Sequence, residues 1–278
     1  MTTYLPAMPI WCAGCGHFGV QAAMEGAMRA LGIPPHEVIV LAGIGCSGTV
    51  QNNLGTYGYH ALHGRVLPTA TGVHLANPEL TVIATGGDGD GYAIGMGHLV
   101  HTFRRNPAFT YVVMNNGVYG LTKGQDSPTA QDGSSALGFD AISLALSIPG
   151  TSFLARGFAR WTDQLHVLMV AALEHARARR GFAFIEVLSP CVTYNDTYPV
   201  WEATLHDLDA DPDHDPTDRA AAFGRLVALG DAGRMAVGLI YTDDTAVATD
   251  EPAHPATQDV TPEANREGYT RLLSRYTV

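Results

Sequence analysis

The chain has 278 residues, 46% hydrophobic and 15% charged, with 31 glycines and a formal net charge of −11. That length and apolar content suit one large α/β domain with extensions, and they exclude a disordered or fibrous protein. The acidic balance and scattered basic residues argue against nucleic-acid binding, and no apolar run approaches the ~20 residues of a membrane helix.

The start, Met1-Thr2-Thr3-Tyr4-Leu5-Pro6, has neither the basic opening nor the apolar stretch of a secretory signal, so a cytoplasmic location is expected. Trp11-Cys12-Ala13-Gly14-Cys15-Gly16-His17 places two thiols just ahead of residues 17–31. There Val20, Met24, Ala27 and Leu31 predict one face of a helix, stopped by Gly32 and Pro34-Pro35. Residues 38–41 predict a strand entering Gly43-Ile44-Gly45-Cys46-Ser47-Gly48, literally a dinucleotide fingerprint. That fingerprint needs an acidic residue to hold a ribose hydroxyl, yet residues 38–78 contain no Asp or Glu, and Arg65 is their only fixed charge. A nicotinamide site is disfavoured, and the neutral stretch suits a buried cofactor cleft.

Residues 80–85 predict a second strand, followed by Gly87-Asp88-Gly89-Asp90-Gly91, whose glycines let the backbone turn while leaving room for a bulky anion. Residues 91–105 then predict a helix with Ile94, His98 and Phe103 roughly on one side, its N-terminal amides favouring a phosphate. A third strand over 109–114 ends at Asn115-Asn116. Parallel neighbouring strands joined by that helix put Asp88 and Asn116 side by side at the rim where open α/β sheets bind ligands. A carboxylate and an amide oxygen together suit a hard cation such as Mg²⁺ that also holds phosphate oxygens. An EF-hand calcium loop fails, because its twelfth position is Leu99.

Residues 161–180 predict a long amphipathic helix and 182–188 a strand leading to Cys191, so strand, loop and helix alternate through 37–189 as in a doubly wound parallel sheet. The acidic residues 202–218, with two prolines, predict a solvated loop; 219–229 resume as a helix and 236–241 as a strand. One domain over 1–249 and a C-terminal arm over 250–278 are expected.

Cys12, Cys15, Cys46 and Cys191 are the whole thiol complement. A disulfide framework is not expected in a cytoplasmic protein. Cys46 and Cys191 each follow a predicted strand near the diphosphate rim, so a shared iron–sulfur cage is one reading; from spacing alone, zinc and buried thiols stay open.

Cys-x-x-Cys-Gly-His, Gly-Ile-Gly-Cys-Ser, His63-Gly64-Arg65, Gly-Asp-Gly-Asp-Gly-Tyr-Ala-Ile-Gly and Asn-Asn-x-x-Tyr-Gly-Leu-Thr-Lys-Gly-Gln occur in this order. Together they resemble the β subunit of 2-oxoacid:ferredoxin oxidoreductases. Asp88 and Asn116, 28 residues apart, resemble the diphosphate motif of thiamine-diphosphate enzymes. The resemblance implies Mg²⁺ on Asp88, Asn116 and the main-chain carbonyl of Val118. It implies thiamine diphosphate against Gly45, Ser47, His63, Gly87, Gly89, Asp90, Tyr119, Gly120 and Leu121. It also implies a 4Fe–4S cluster on Cys12, Cys15, Cys46 and Cys191. The implied activity is coenzyme A-dependent oxidative decarboxylation of a 2-oxoacid, with electrons passed to ferredoxin.

By the same resemblance His17, His63 and Lys123 are candidate catalytic residues, and His60 a candidate neighbour. Lys123 reads either as a solvated surface lysine or as a cation for an anionic group of substrate or coenzyme. Leu121-Thr122-Lys123 stands where pyruvate-specific relatives usually show Asn-Thr-Gly, so 2-oxoglutarate is the expected substrate. Pyruvate or broad specificity, and a non-redox thiamine lyase or decarboxylase subunit, are the alternatives. Some broad-specificity relatives carry a lysine just after the Gly-Cys-Ser segment, where this chain has Thr49. The glutamate that activates the aminopyrimidine is expected on a pyrimidine-binding domain of a separate α subunit, leaving the β chain inactive alone.

Overall fold

A strand buried on both faces presents successive apolar side chains to opposite helical layers. Residues 110–115 do so: Val112 and Met114 pack into one core cluster, Tyr111 and Val113 into the other. The computed structural model describes residues 8–130 and 138–249, together with Arg266, Thr270 and Ser274. Nearly all of the expected arm, 250–278, lies outside the described residues.

The chain runs α1 (His17–Ala30), β1 (Val38–Ala42), β2 (Tyr57–His60), α2 (Val66–Ala76) and β3 (Thr81–Gly87). A π-helical turn at Gly89–Ile94 leads to α3 (Met96–Arg105), β4 (Thr110–Asn115) and a small hairpin, β5 (Val118–Tyr119) and β6 (Gln125–Asp126). Then come α4 (Ala141–Leu146), β7 (Phe153–Phe158), α5 (Thr162–Arg177), β8 (Ala183–Leu188), α6 (Tyr198–Thr204), β9 (Leu205–Asp207), α7 (Arg219–Asp231) and β10 (Met235–Thr242). The main sheet has the order β2-β1-β3-β4-β8-β7-β10-β9. All its pairs are parallel except β10 with β7. Helices α1 and α5 cover one face, and α2, α3, α4 and α7 the other, as a doubly wound sheet requires. No helix among the described residues is long and apolar enough to cross a membrane.

Three local expectations are corrected. The helix expected over 91–105 is broken: the π turn ends at Gly95 and a regular helix begins at Met96. Ile94 is 52% exposed whereas Leu99 and Phe103 are fully buried, so Ile94 and Phe103 do not share a face. The acidic stretch is not simply a solvated loop. It contains the end of α6 and the edge strand β9, and its carboxylates have partners: Gln164 donates to Asp207 at 2.6 Å, His206 meets Asp211 at 2.7 Å, and Asp218 caps α7.

Helix α1 sits close to the carboxyl end of β8, because glycines open its first turn. A Cβ on Gly16 would lie 2.7 Å from the Ser189 backbone, and one on Gly19 2.2 Å from the Ala159 carbonyl. The Gly16 amide donates to the Pro190 carbonyl at 3.1 Å. The Cys12–Cys15 segment is thereby anchored beside the loop carrying Cys191.

Beneath the rim lies a buried polar core. Arg156 on β7 donates from Nε to Glu186 on β8 at 2.6 Å and from Nη2 to Asp140 at 2.6 Å. Tyr92 donates to Glu186 at 2.8 Å, and the Asn115 amide donates to the same oxygen at 3.2 Å. Burial disfavours the charged guanidinium, but Glu186 and Asp140 outweigh that and hold Arg156 protonated. A buried charge of this kind is stable only while its partner remains. Arg156→Met should therefore cost about 3–5 kcal/mol in urea unfolding, by stranding Glu186. Arg156→Met with Glu186→Leu should recover most of the loss; a single-variant cost below about 1 kcal/mol would contradict this account.

Candidate functional site

The carboxyl ends of β1, β3, β4 and β8 reach one rim. Paired residues Ala42 and Thr85, Gly87 and Met114, and Asn115 and Leu188 set the register that brings their loops together. Between the first three loops opens a cleft of about 330 Å³. Every residue expected at the cofactor lines it: Gly45, Ser47, His63, Gly87, Asp88, Gly89, Asp90, Asn116, Val118, Tyr119, Gly120 and Leu121. Cys46 and His17 line it as well. A larger cleft, about 510 Å³, lies beyond Asn115 and is lined by Arg156, Glu186, Tyr194 and Trp201. It lacks the Gly-Asp-Gly loop and the thiols, so volume does not mark the site.

Asp88 stands at the end of β3, almost fully buried. Thr129 donates to its Oδ2 at 2.7 Å, Ser127 donates to the same oxygen, and the Asn116 amide approaches Oδ1 at 3.3 Å. Burial pushes this carboxyl up, against the lowering pull of Ser127, Thr129 and the Asn116 amide. Asn116 is folded back on itself, its Oδ1 accepting from the Val118 amide at 3.0 Å. The expected carboxylate and amide are thus adjacent, as the parallel β3–β4 pairing demands.

Asp90 does something different. Its Oδ1 accepts from the Ile44 amide at 3.0 Å and the Gly64 amide at 2.9 Å, and lies 3.1 Å from His63 Nδ1. A Cβ on Gly43 would fall 2.0 Å from Oδ2. Asp90 therefore holds the cleft walls together, and His63 stands beside it with 40% of its side chain exposed.

The four thiols approach one another. Cys15 is pushed up to about 11, first by burial and then by Cys191, Cys46 and Cys12. Cys46 is raised by burial, then by Cys191 and Cys12. A Cβ on Gly120 would lie 3.6 Å from Cys46 Sγ and 3.7 Å from Cys191 Sγ, so both sulfurs flank the loop that follows Asn116. Trp11 Nε1 donates to the Cys46 carbonyl at 2.8 Å, and Thr193 donates to Cys12 Sγ at 3.3 Å, tying the three thiol-bearing segments together. Cys15 and Cys46, raised by burial and by neighbouring thiols, favour the thiolate only beside a positive centre. Among the described residues no group of three or more His, Cys, Asp or Glu side chains could hold a metal ion as it stands. Beside Asn116 stands one carboxylate, Asp88, so a hard cation held there would need further oxygen ligands.

His17 is buried, with Nδ1 2.7 Å from Ser189 Oγ and Trp11 set edge-on at 5.4 Å. Lys123 does not line the cleft: it lies exposed in the turn between β5 and β6 with φ +78°, two residues past Leu121. His60 ends the exposed strand β2. Sequence reasoning missed Ser127, Thr129, Ser189 and Asn195, whose hydroxyls and amide support the expected residues. Nothing in the sequence separates them from ordinary turn composition.

Burial lowers His17 to about 4 from 6.5. Between those values the unfolded chain takes a proton that the folded one refuses, so stability is full above pH 6.5 and falls as pH drops toward 4. Ring ¹⁵N NMR should find His17 neutral at pH 6, and His17→Gln should flatten the loss of stability across that window. A His17 midpoint at or above pH 6 would contradict the reading.

Comparison with known proteins agrees with this geometry. The family described as thiamine pyrophosphate enzyme, C-terminal TPP binding domain, matches residues 43–187, and the family of the C-terminal part of the pyruvate ferredoxin oxidoreductase beta subunit matches residues 191–257. The chain is 44% identical to the 2-oxoacid:ferredoxin oxidoreductase subunit beta of Saccharolobus solfataricus, over 84% of this chain and 82% of that one. It is 41% identical to 2-oxoacid:ferredoxin oxidoreductase 1, subunit beta, of Aeropyrum pernix, over 84% and 77%. A solved structure of 2-oxoglutarate:ferredoxin oxidoreductase from Magnetococcus marinus, with 2-oxoglutarate, coenzyme A and succinyl-CoA bound, superposes with a TM-score of 0.81 at 32% identity, covering 99% of this chain and 95% of that one. A thiamine-diphosphate fold whose metal-type loop and thiols share one rim, with relatives of this closeness over most of its length, belongs to the family of 2-oxoacid:ferredoxin oxidoreductase β subunits.

Proposed function

We propose that this β subunit, with an α subunit, carries out coenzyme A-dependent oxidative decarboxylation of 2-oxoglutarate to succinyl-CoA and CO₂, and passes the electrons to ferredoxin. The observation that carries the proposal is the shared rim: the loop after Asn116 has the Mg²⁺-type residues at one end and, at Gly120, the Cys46 and Cys191 sulfurs against it. Asp88, Asn116 and the Val118 carbonyl would hold Mg²⁺, with Gly87, Gly89 and Ser47 around the diphosphate. Gly45, His63, Tyr119, Gly120 and Leu121 would form the walls around the remainder of the cofactor. Cys12, Cys15, Cys46 and Cys191 would hold a 4Fe–4S cluster. Bound there, thiamine diphosphate supplies the reactive carbon and electron sink for loss of CO₂, and the cluster supplies one-electron transfer.

The chain's own residues bind and orient. Asp88 is held ready by Ser127 and Thr129; Asp90 stands beside His63 at the cleft wall; His17, neutral, presents an uncharged imidazole beside the thiols. Cys12 is exposed in this chain, so a cluster held by the four thiols would be reachable by an external one-electron acceptor such as ferredoxin. The α subunit would bring the activating glutamate and the remainder of the substrate pocket. We propose one domain over 1–249 for this work, with 250–278 a C-terminal arm.

The complex purified with its α subunit under strict anaerobiosis should be brown, with about four iron atoms per β chain and bound thiamine diphosphate. Cys191→Ser should lose most of the iron while keeping the fold. A colourless, iron-free complex would overturn the assignment.

Substrate choice is supported by the Magnetococcus marinus structure with 2-oxoglutarate bound, and by Lys123, whose ammonium makes no ion pair among the described residues. Such a cation suits the distal carboxylate of 2-oxoglutarate. With a viologen acceptor, kcat/KM for 2-oxoglutarate should exceed that for pyruvate roughly tenfold or more, and Lys123→Ala should narrow the gap mainly through KM. Higher pyruvate turnover would reverse the substrate assignment without touching the family.

A further inference from the structure

The turn from Cys191 to Asn195 touches both halves of the site. The Asn195 amide donates to the Cys191 carbonyl at 2.9 Å, and the two residues form an isolated antiparallel bridge that closes the turn. From the same residue, side-chain Nδ2 donates to the main-chain carbonyl of Asn116 at 2.8 Å. The acceptor is a carbonyl, so the nitrogen of the Asn195 amide must face it. Gly117 has φ +69°, and a Cβ there would lie 2.8 Å from Asn195 Nδ2. The bond therefore passes through a gap that only glycine leaves.

What this bond restrains is the segment that must present the metal donors. The Asn116 amide faces Asp88 Oδ1, its Oδ1 holds the Val118 amide, and the Gly117 amide donates to Asn115 Oδ1 at 3.1 Å. Each of those contacts comes from the β3–β4 side or from within the segment. Among the described residues, Asn195 is the one whose side chain reaches it from the thiol side, and Asn195 is neither a thiol nor part of that cleft's lining. Groups behind a metal ligand orient it and limit the ordering required when the ion arrives.

We propose that Asn195 is a positioning residue that fixes the Asn116–Val118 peptide to the Cys191 turn, preorganising the Mg²⁺–diphosphate site from the cluster side. The inference rests on the thiamine-diphosphate and cluster reading given above. Asn195→Asp keeps the shape but turns an oxygen toward the Asn116 carbonyl, replacing a donor with a repelling acceptor.

The test uses the anaerobic α–β complex stripped of thiamine diphosphate, with Mn²⁺ as the probe and free Mn²⁺ read by EPR in the presence of added thiamine diphosphate. Asn195→Asp should weaken Mn²⁺–thiamine diphosphate binding roughly tenfold or more while iron per β chain stays at the parent value. A merely structural role would lower iron and binding together. Affinity within twofold of the parent overturns the inference. Should Asn195→Asp lose its iron, Asn195→Ala, which removes the donor without adding repulsion, decides. Weakened binding with iron retained supports the proposal; unchanged affinity or renewed iron loss overturns it. A parent complex that has no iron or binds no Mn²⁺–thiamine diphosphate brings down the functional reading, and this inference with it.

Discussion

Asp90 buries a carboxylate among three backbone segments, and the shape of the cleft follows from how that charge is satisfied. A buried carboxylate is costly unless hydrogen-bonded, and the Oδ1 of this one takes the Ile44 amide from the loop after β1 and the Gly64 amide from the turn before α2, with the His63 ring 3.1 Å away. The contact with Gly43 leaves no room for any other residue there. Because Asp90 is two residues from Asp88, the tie that draws the walls in also fixes where the metal-type carboxylate stands. The glycine-rich loop is thus held from behind, leaving its front open to an anion.

The thiol site uses another device. Its cysteines come from positions separated by up to 179 residues, and no local turn gathers them. The sheet does so: β1 and β8 end at the rim with Cys46 and Cys191 just beyond, and α1 seats the Cys12–Cys15 segment on Ser189 and Pro190 through its glycines. The Trp11 bond to the Cys46 carbonyl and the Tyr198 hydroxyl bond to the Gly14 carbonyl close the arrangement. The Asp88–Asn116 loop and the thiols then form one unit, with Gly120 between them.

Much of this was legible in advance. Strands β1, β3, β4 and β8 are short apolar runs ending in glycine, asparagine or proline punctuation, and α1 shows a clean helical period, so both the doubly wound class and the Asp88–Asn116 adjacency could be read locally. The π turn could not, since Gly91-Tyr92-Ala93-Ile94 carries the same apolar spacing as a regular helix. The acidic stretch misled because its carboxylates look solvated until Gln164, His206 and Arg225 are brought against them. Lys123 fell one residue beyond the cleft lining, which ends at Thr122, displaced by the tight β5–β6 turn.

The amino-acid sequence by itself determined the periodicities, the turn chemistry and the residue types delivered to each strand end, because those depend on neighbours within one turn or one pleat. Only the tertiary structure decided which side chains support them. Ser127 and Thr129 behind Asp88, Asn195 behind Asn116, Ser189 behind His17 and Arg156 beside Glu186 are pairings across loops or strands. A hydrogen bond is specified by the position and direction of both partners, and those are set by sheet register and helix packing, which exist only once the chain has closed on itself.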